Sequence, residues 1–430
     1  MLKNKETIIL SAAFIVGLLV RVLLLTHPAM HDILVYTDWG RDALTKGLAK
    51  GFHGIYFPIQ YQIFELSLWV GQISGIDFQV VLRFIGLFFD IGNFILLTMI
   101  LKTIGGNKLF AILYWLHPWF VIIFAEGYVD CQFVFFVLLT LYILLQGKTL
   151  SNYFWAGVPL GIAFLMKPQA QMLVFAAAVF ALVGFIRRRK FDQFLILAAP
   201  AILFLGYDLY FFVNLFPALG VVRALVFLPR KYLGIQGEMA VLTGNMLNFW
   251  YPIAYFMKQP GTPIYSVGSD KFLLPFVQFR VLASLVVITL VSWYTFLVQR
   301  LDESKAESGG SILLIFAFVS LVVPFLMTSA HENHLYLGTV LLVILLAKFG
   351  GRLFNLAIQL TLIIQFVNIY LMYFNDRLAN FLLSGYSLGV RTILAVISAL
   401  LFIFLVKKIL TFNFSSSEQI VAITNHNKAA

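Results

Sequence analysis

The sequence predicts an all-α polytopic membrane protein, and three observations carry that reading. Of its 430 residues 61% are hydrophobic and only 11% charged, against about 25% charged in a soluble globular chain. Apolar runs of span length recur about a dozen times, and a helical span needs roughly 20 such residues. Cations cluster at the ends of these runs, as in Arg187-Arg188-Arg189-Lys190 and Lys407-Lys408, which is the positive-inside pattern. The net charge of +11 is accounted for in this way without a nucleic-acid partner. Cys131 is the only cysteine, so no disulfide framework and no cysteine metal site is expected.

The elements follow in order. The first apolar run, 8–26, lacks a small-residue cleavage site and is read as a retained span rather than a signal peptide. A long loop, 27–79, comes next. Within it Asp32, Tyr36 and Trp39 fall at i, i+4 and i+7, so a juxtamembrane helix from about Asp32 to Leu48 would carry them on one face. Residues 58–74 are apolar but short, begin with proline and carry Glu65 mid-way. They are read as a second helix at the outer interface rather than a span. Further spans are placed at 80–101, 108–124, 131–146, 152–166, 169–186, 193–213, 276–298, 311–327, 334–349, 353–373 and 388–407. With the cationic connections 102–108, 147–151, 186–192 and 299–310 in the cytoplasm, both termini lie inside and twelve spans result. Residues 1–410 form one membrane domain, with a large outer loop at 214–275. The tail 411–430 is expected to be a disordered cytoplasmic extension.

Parity sends every polar cluster of interest to the outer face. Asp32 is either a helix N-cap or a general base. Glu126 and Asp130 stand four apart on a short turn, where helix capping and a site are both open. Lys167, followed by Pro168 and Gln169, opens a span at the end where the helix dipole disfavours a cation. Snorkelling and an anion ligand are the alternatives there. Asn245 and Asn248 form an amide pair within 214–275, beside an interfacial Trp250. His331, Glu332 and His334 sit between two spans, where ionisable groups are costly. The two histidines, three apart, would share a helical face. Leu335 occupies the fifth position, so zinc-protease spacing is absent, and recognition of phosphate or hydroxyl suits these imidazoles better than metal binding.

Read in order, these segments resemble the GT-C glycosyltransferases, and most closely the bacterial branch related to the second mannosyltransferase of glycosylphosphatidylinositol synthesis. Asp32-Ile33-x-x-Tyr36-x-x-Trp39 resembles D-[IL]-x-x-[FY]-x-x-W, and Tyr56-Phe57-Pro58-Ile59-Gln60-Tyr61 resembles Y-P-P-x-Y. His117-Pro118 with Glu126-Gly127-Tyr128-Val129-Asp130 is similar to N-P followed by W-G-Q-x-D. Lys167-Pro168-Gln169-Ala170 matches K-P-Q-A in full, Asn245-x-x-Asn248-Phe249-Trp250 resembles N-x-x-N-L-W, and His331-Glu332-Asn333-His334 resembles H-E-R-[YH]. Tyr128 stands where the pattern has glutamine, Asn333 where it has arginine and Leu337 where it has proline. The missing arginine leaves Lys167, His331 and His334 as the candidate partners of a donor phosphate.

The resemblance implies an inverting transfer of a sugar, mannose by family habit, from a polyprenyl-phosphate donor to a lipid or glycan acceptor. It implies Asp32 as the base and substrate contacts from Tyr36, Trp39, Glu126, Asp130, Lys167, Gln169, Asn245, Asn248, His331, Glu332 and His334. It also implies no metal and no other cofactor. The expected location is the inner membrane of a prokaryote, with the site on the extracytoplasmic face. A transporter or lipid flippase is the main rival; it would place ionisable groups near the bilayer midplane in two repeated halves, whereas here they are read at span ends. A non-catalytic scaffold is the third reading and predicts no recess joining Asp32 to His331.

Overall fold

The computed structural model describes all residues except 1, 30, 31, 148, 239, 261, 275–276, 302–308, 374–384 and 413–430. Residues 413–430 of the expected tail and most of the connection 299–310 therefore lie outside the described residues. The chain is an all-α polytopic membrane protein, with nineteen α-helices among the described residues. In the first half these are α1 (Leu2–Leu24), α2 (Asp32–Lys46), α3 (Leu48–Gly51), α4 (Pro58–Ser74), α5 (Phe78–Thr103), α6 (Ala111–Leu116), α7 (Pro118–Ala125), α8 (Asp130–Gln146), α9 (Leu150–Phe164) and α10 (Gln169–Arg188). In the second half they are α11 (Leu195–Leu219), α12 (Val221–Leu225), α13 (Phe227–Glu238), α14 (Trp250–Met257), α15 (Phe279–Leu301), α16 (Gly309–Leu326), α17 (Tyr336–Phe349), α18 (Arg352–Tyr373) and α19 (Gly385–Thr411). At the end of the 214–275 loop stands a small antiparallel hairpin of β1 (Phe272–Leu274) and β2 (Val277–Gln278).

A helix stands at each of the twelve predicted spans. Seven are long and apolar enough to cross a bilayer alone: α1, α5, α10, α11, α15, α18 and α19. An eighth arises if α6 and α7, bent by 47° at His117-Pro118, count as one span. Proline breaks the helix there because it lacks the N–H of the next backbone bond, and the freed Trp119 N–H donates to His117 Nδ1 at 3.1 Å. The shorter apolar helices α8, α16 and α17 lie deep in the bundle. In α17 every residue from Tyr336 to Leu346 is buried, so this helix meets protein on all sides.

The two ends of the bundle segregate as alternating helices require. At one end Lys348 Nζ donates to the Ile104 carbonyl at 2.6 Å, Arg188 to that of Gln299 at 3.0 Å, and Gln146 to Thr103 Oγ1 at 3.1 Å. Lys108 lies 3.8 Å from Glu6 at the same end. The opposite end holds α2–α4 and the connections after α7, α9, α11 and α16. Close helix approach is set by small residues: a Cβ on Gly157 of α9 would stand 2.6 Å from the Ile196 carbonyl of α11.

One expectation about charge is corrected inside the bundle. Ionisable groups are not confined to span ends, because Arg21 of α1 and Asp90 of α5 form a fully buried ion pair. Tyr114 of α6 donates to Asp90 and bonds Tyr336 at 3.1 Å, while Arg21 donates to the Trp115 carbonyl at 2.8 Å and stacks 3.8 Å from the Trp115 ring. Removing either partner would leave a lone buried charge, so the two are mutually required. Both residues are visible as isolated charges within apolar runs, but the pairing spans 69 positions of sequence.

Candidate functional site

The site is assembled by backbone stitching between two pairs of connections. The strand-like approach to α4 docks on the corner after α9, with Phe57 N–H donating to Met166 O at 3.1 Å and Ile59 N–H to Leu165 O at 3.0 Å. The loop before α14 docks on the segment after α16, with Gly244 N–H on Ala330 O at 2.8 Å and Ser329 N–H on Val241 O at 3.1 Å. A Cβ on Gly244 would lie 2.8 Å from the His331 ring, so a larger residue there would have to displace the ring. These joints bring the predicted Asp32, Asp130, Lys167 and His331 neighbourhoods to one end of the bundle.

Asp32 opens α2 and accepts a hydrogen bond from the Tyr36 hydroxyl at 3.2 Å, which in turn meets the Tyr56 hydroxyl at 3.1 Å. Burial pushes the Asp32 carboxyl above the usual carboxylate range, and the nearby Glu332 charge adds to that rise. His331, Tyr36 and Lys167 oppose it. Burial, then the Asp32 charge, pushes both Tyr36 and Tyr56 well above the ordinary phenol range, so both stay protonated donors. Trp39 stacks on Tyr61 at 5.5 Å and packs tilted against Tyr36 at 6.0 Å, which fixes the face carrying Asp32.

Lys167 does not snorkel. It is fully buried, and its Nζ lies 2.6 Å from Asp130 Oδ1. Asn333 Nδ2 donates to the other oxygen of Asp130 at 2.8 Å, so Asp130 is more than a helix cap. The residue standing where the family pattern has arginine thus serves the carboxylate that neutralises the lysine. Glu332 accepts from the Tyr128 hydroxyl at 2.8 Å and lies 3.9 Å from His331 Nδ1. Tyr128, where the pattern has glutamine, supplies a donor in its place.

The shared helical face expected for His331 and His334 is corrected: α16 ends at Leu326, α17 begins at Tyr336, and a turn lies between. Ser329, with φ of 61°, takes the left-handed conformation within that turn. The rings still meet, edge to face at 5.3 Å. The His331 backbone N–H donates to His334 Nδ1 at 3.2 Å, so the neutral His334 ring carries its proton on Nε2. Burial, then the charges of His331 and Lys167, pushes His334 well below the usual imidazole range and keeps it neutral.

A cavity of about 140 Å³ opens beside this network, lined by Tyr56 and Gln169 on one side and by the 327–334 turn with His331 and His334 on the other. Three expected site residues fall elsewhere. Glu126 stands at the end of α7, where its charge acts on the Arg83 guanidinium. Asn248 is fully buried, donating to Pro324 O at 3.2 Å and accepting from Trp250 N–H at 3.1 Å, which ties the start of α14 to α16. Asn245 contributes its backbone, whose carbonyl accepts from Asn368 at 3.0 Å and Arg391 at 3.4 Å. Arg83 and Arg391 are not legible in the sequence because their partners come from distant segments, and Thr328 is not because the cavity it lines is made by other segments. Among the described residues no group of three or more His, Cys, Asp or Glu side chains could hold a metal ion.

Residues 79–209 match the family model of dolichyl-phosphate-mannose-protein mannosyltransferases. The match spans α5 to the middle of α11 and includes Glu126, Asp130, Lys167 and Gln169. It supports a membrane glycosyltransferase of the GT-C type. No curated protein matches the chain.

Proposed function

We propose that this protein transfers a sugar, with mannose as the first candidate, from a polyprenyl-phosphate donor to a hydroxyl of a lipid or glycan acceptor. The reaction inverts the anomeric centre, and it takes place on the extracytoplasmic face of a prokaryotic inner membrane. The observation that carries the reading is the gathering at one end of the bundle of Asp32, the Asp130–Lys167 pair and the two histidines, with the histidines lining a cavity there. A carboxylate whose affinity for protons is raised by burial and by Glu332 is suited to take a proton from an alcohol near neutral pH.

Asp32 accepts the acceptor hydroxyl's proton as that oxygen forms its bond to the anomeric carbon. The bond from that carbon to the phosphate oxygen breaks on the opposite side, and polyprenyl phosphate leaves with the electron pair. His331, partly exposed and 3.9 Å from a Glu332 oxygen, meets the leaving phosphate. Lys167 contributes field rather than a free charge, because Asp130 already matches it. We read the chemistry as metal-independent, as the resemblance implies. The transporter alternative draws little from Arg21 and Asp90, since both are closed off from solvent.

Incubation of the purified protein with polyprenyl-phosphate mannose, glucose and galactose and a lipid acceptor extract, followed by product analysis, tests the proposal. A new glycosidic product from one donor is expected. Unchanged donors in every reaction would overturn it.

A further inference from the structure

The cavity beside His331 has a chemistry of its own. Its side toward Val323, Pro324, Met327 and Met172 is apolar, and Gln169, Thr328 and His334 are set into it beside His331. Thr328 Oγ1 is buried, with 4% of the residue exposed, and has no protein partner. Gln169 Oε1 is likewise buried without a partner. A side hollow of about 10 Å³ shares Gln169, Val323, Pro324 and His334 with the main cavity and adds Ser320. The Ser320 Oγ is also buried without a protein partner. His334 completes the set, its Nδ1 engaged by the backbone and its Nε2–H remaining to donate.

Four neutral groups, two able both to donate and accept, one accepting and one donating, do not form an anion site. A phosphate buried among them would meet the Gln169 oxygen and no unmatched cation. A ring bearing several hydroxyls meets all four, since each hydroxyl can donate to one and accept from another. The volume agrees: about 140 Å³ is roughly ten times what one water occupies on the same measure. Leaving buried polar groups without partners is costly, so their concentration along one cavity points to a ligand that supplies the partners.

We propose that this cavity seats the sugar ring of the donor, with Gln169, Ser320, Thr328 and His334 reading its hydroxyls and Tyr56 closing one side. This assignment rests on the sugar-transfer reading and gives it a specificity pocket. The phosphate then lies toward His331 at the cavity's rim, and the acceptor approaches from the Asp32 side.

Thr328→Val and Ser320→Ala test it, because each removes a hydroxyl with little change in shape. Binding of polyprenyl phosphate, and of its mannose, glucose and galactose conjugates, is measured to the purified full chain together with the thermal unfolding midpoint. The wild type is expected to bind one conjugate about tenfold more tightly than the sugar-free lipid. T328V should lose most of that increment, with S320A losing part, while sugar-free binding is unchanged and the unfolding midpoint is held or raised. An increment that ignores both substitutions, the absence of any increment, or equal weakening of all lipids would overturn the assignment. Equal weakening would identify the cavity as the seat of phosphate or prenyl chain. The two readings fail separately: transfer with an unaffected increment removes only this one, and an increment abolished by T328V without transfer removes only the other.

Discussion

Asp32 is held where its charge is disfavoured, by burial first and by Glu332 second. Two consequences follow from the sign of that shift. As a base it must be deprotonated, so kcat/KM should climb with pH through its raised pKa, and D32N should lack that limb. D32N should also reduce transfer by about 10²–10⁴-fold while the protein still binds donor. For stability the sign is opposite. The folded state binds this proton more tightly than the unfolded chain, so wild type gains stability as pH falls through the folded pKa. D32N should therefore unfold at a higher temperature than wild type at neutral pH, and the gap should close on acidification. Matched pH series of turnover and of thermal unfolding check both. A D32N protein with full turnover would remove Asp32 from its role.

Between elements, the site depends on joints rather than on any one helix. Lys167 follows α9, Asp130 opens α8 and Asn333 belongs to the turn before α17, so their hydrogen bonds tie three connections together. Lys167→Ala would leave Asp130 buried with only Asn333 to meet its charge. Its expected cost is about 3–5 kcal/mol of unfolding free energy, partly recovered in the double variant K167M/D130N. A K167A protein within about 1 kcal/mol of wild type would show the pair to be dispensable. Gly244 is the joint on the other side. Gly244→Ala would push a methyl group against the His331 ring, 2.8 Å away. That should cut kcat/KM by about 10²-fold while the fold survives, since small displacements near reacting groups are expensive. Parallel turnover and unfolding measurements separate the two effects.

At the scale of the whole molecule, the end carrying the site and the end carrying Lys108, Arg188 and Lys348 lie on opposite sides of the bundle. A cysteine at Ser329 should react with a membrane-impermeant reagent only from the extracytoplasmic side, and one at Arg187 only from the cytoplasm. The native Cys131 is buried and gives little background. Reaction of the Ser329 cysteine from the cytoplasm alone would invert the topology and move the site to the other leaflet. The buried Arg21–Asp90 pair joins α1 to α5 and, through Tyr114 and Tyr336, to the start of α17. This clamp connects the first helix to the turn that carries both histidines.

The sequence by itself determined where helices stand and which ends of them carry polar groups. Transfer from water to lipid is a local property of a run of residues, so hydropathy and charge placement are enough to read it. Asp32, Tyr36 and Trp39 were legible as one helical face because their spacing is local too. What those groups touch was decided only by the tertiary structure. The spacing of His331 and His334 suggested a shared helical face where the chain makes a turn, and Lys167 was open to snorkelling or to an anion ligand until the fold set Asp130 beside it. Arg21 needed Asp90, and Thr328 needed a cavity made by other segments. A buried charge or hydroxyl takes its meaning from partners that desolvation forces it to find, and those partners lie across the bundle rather than along the chain.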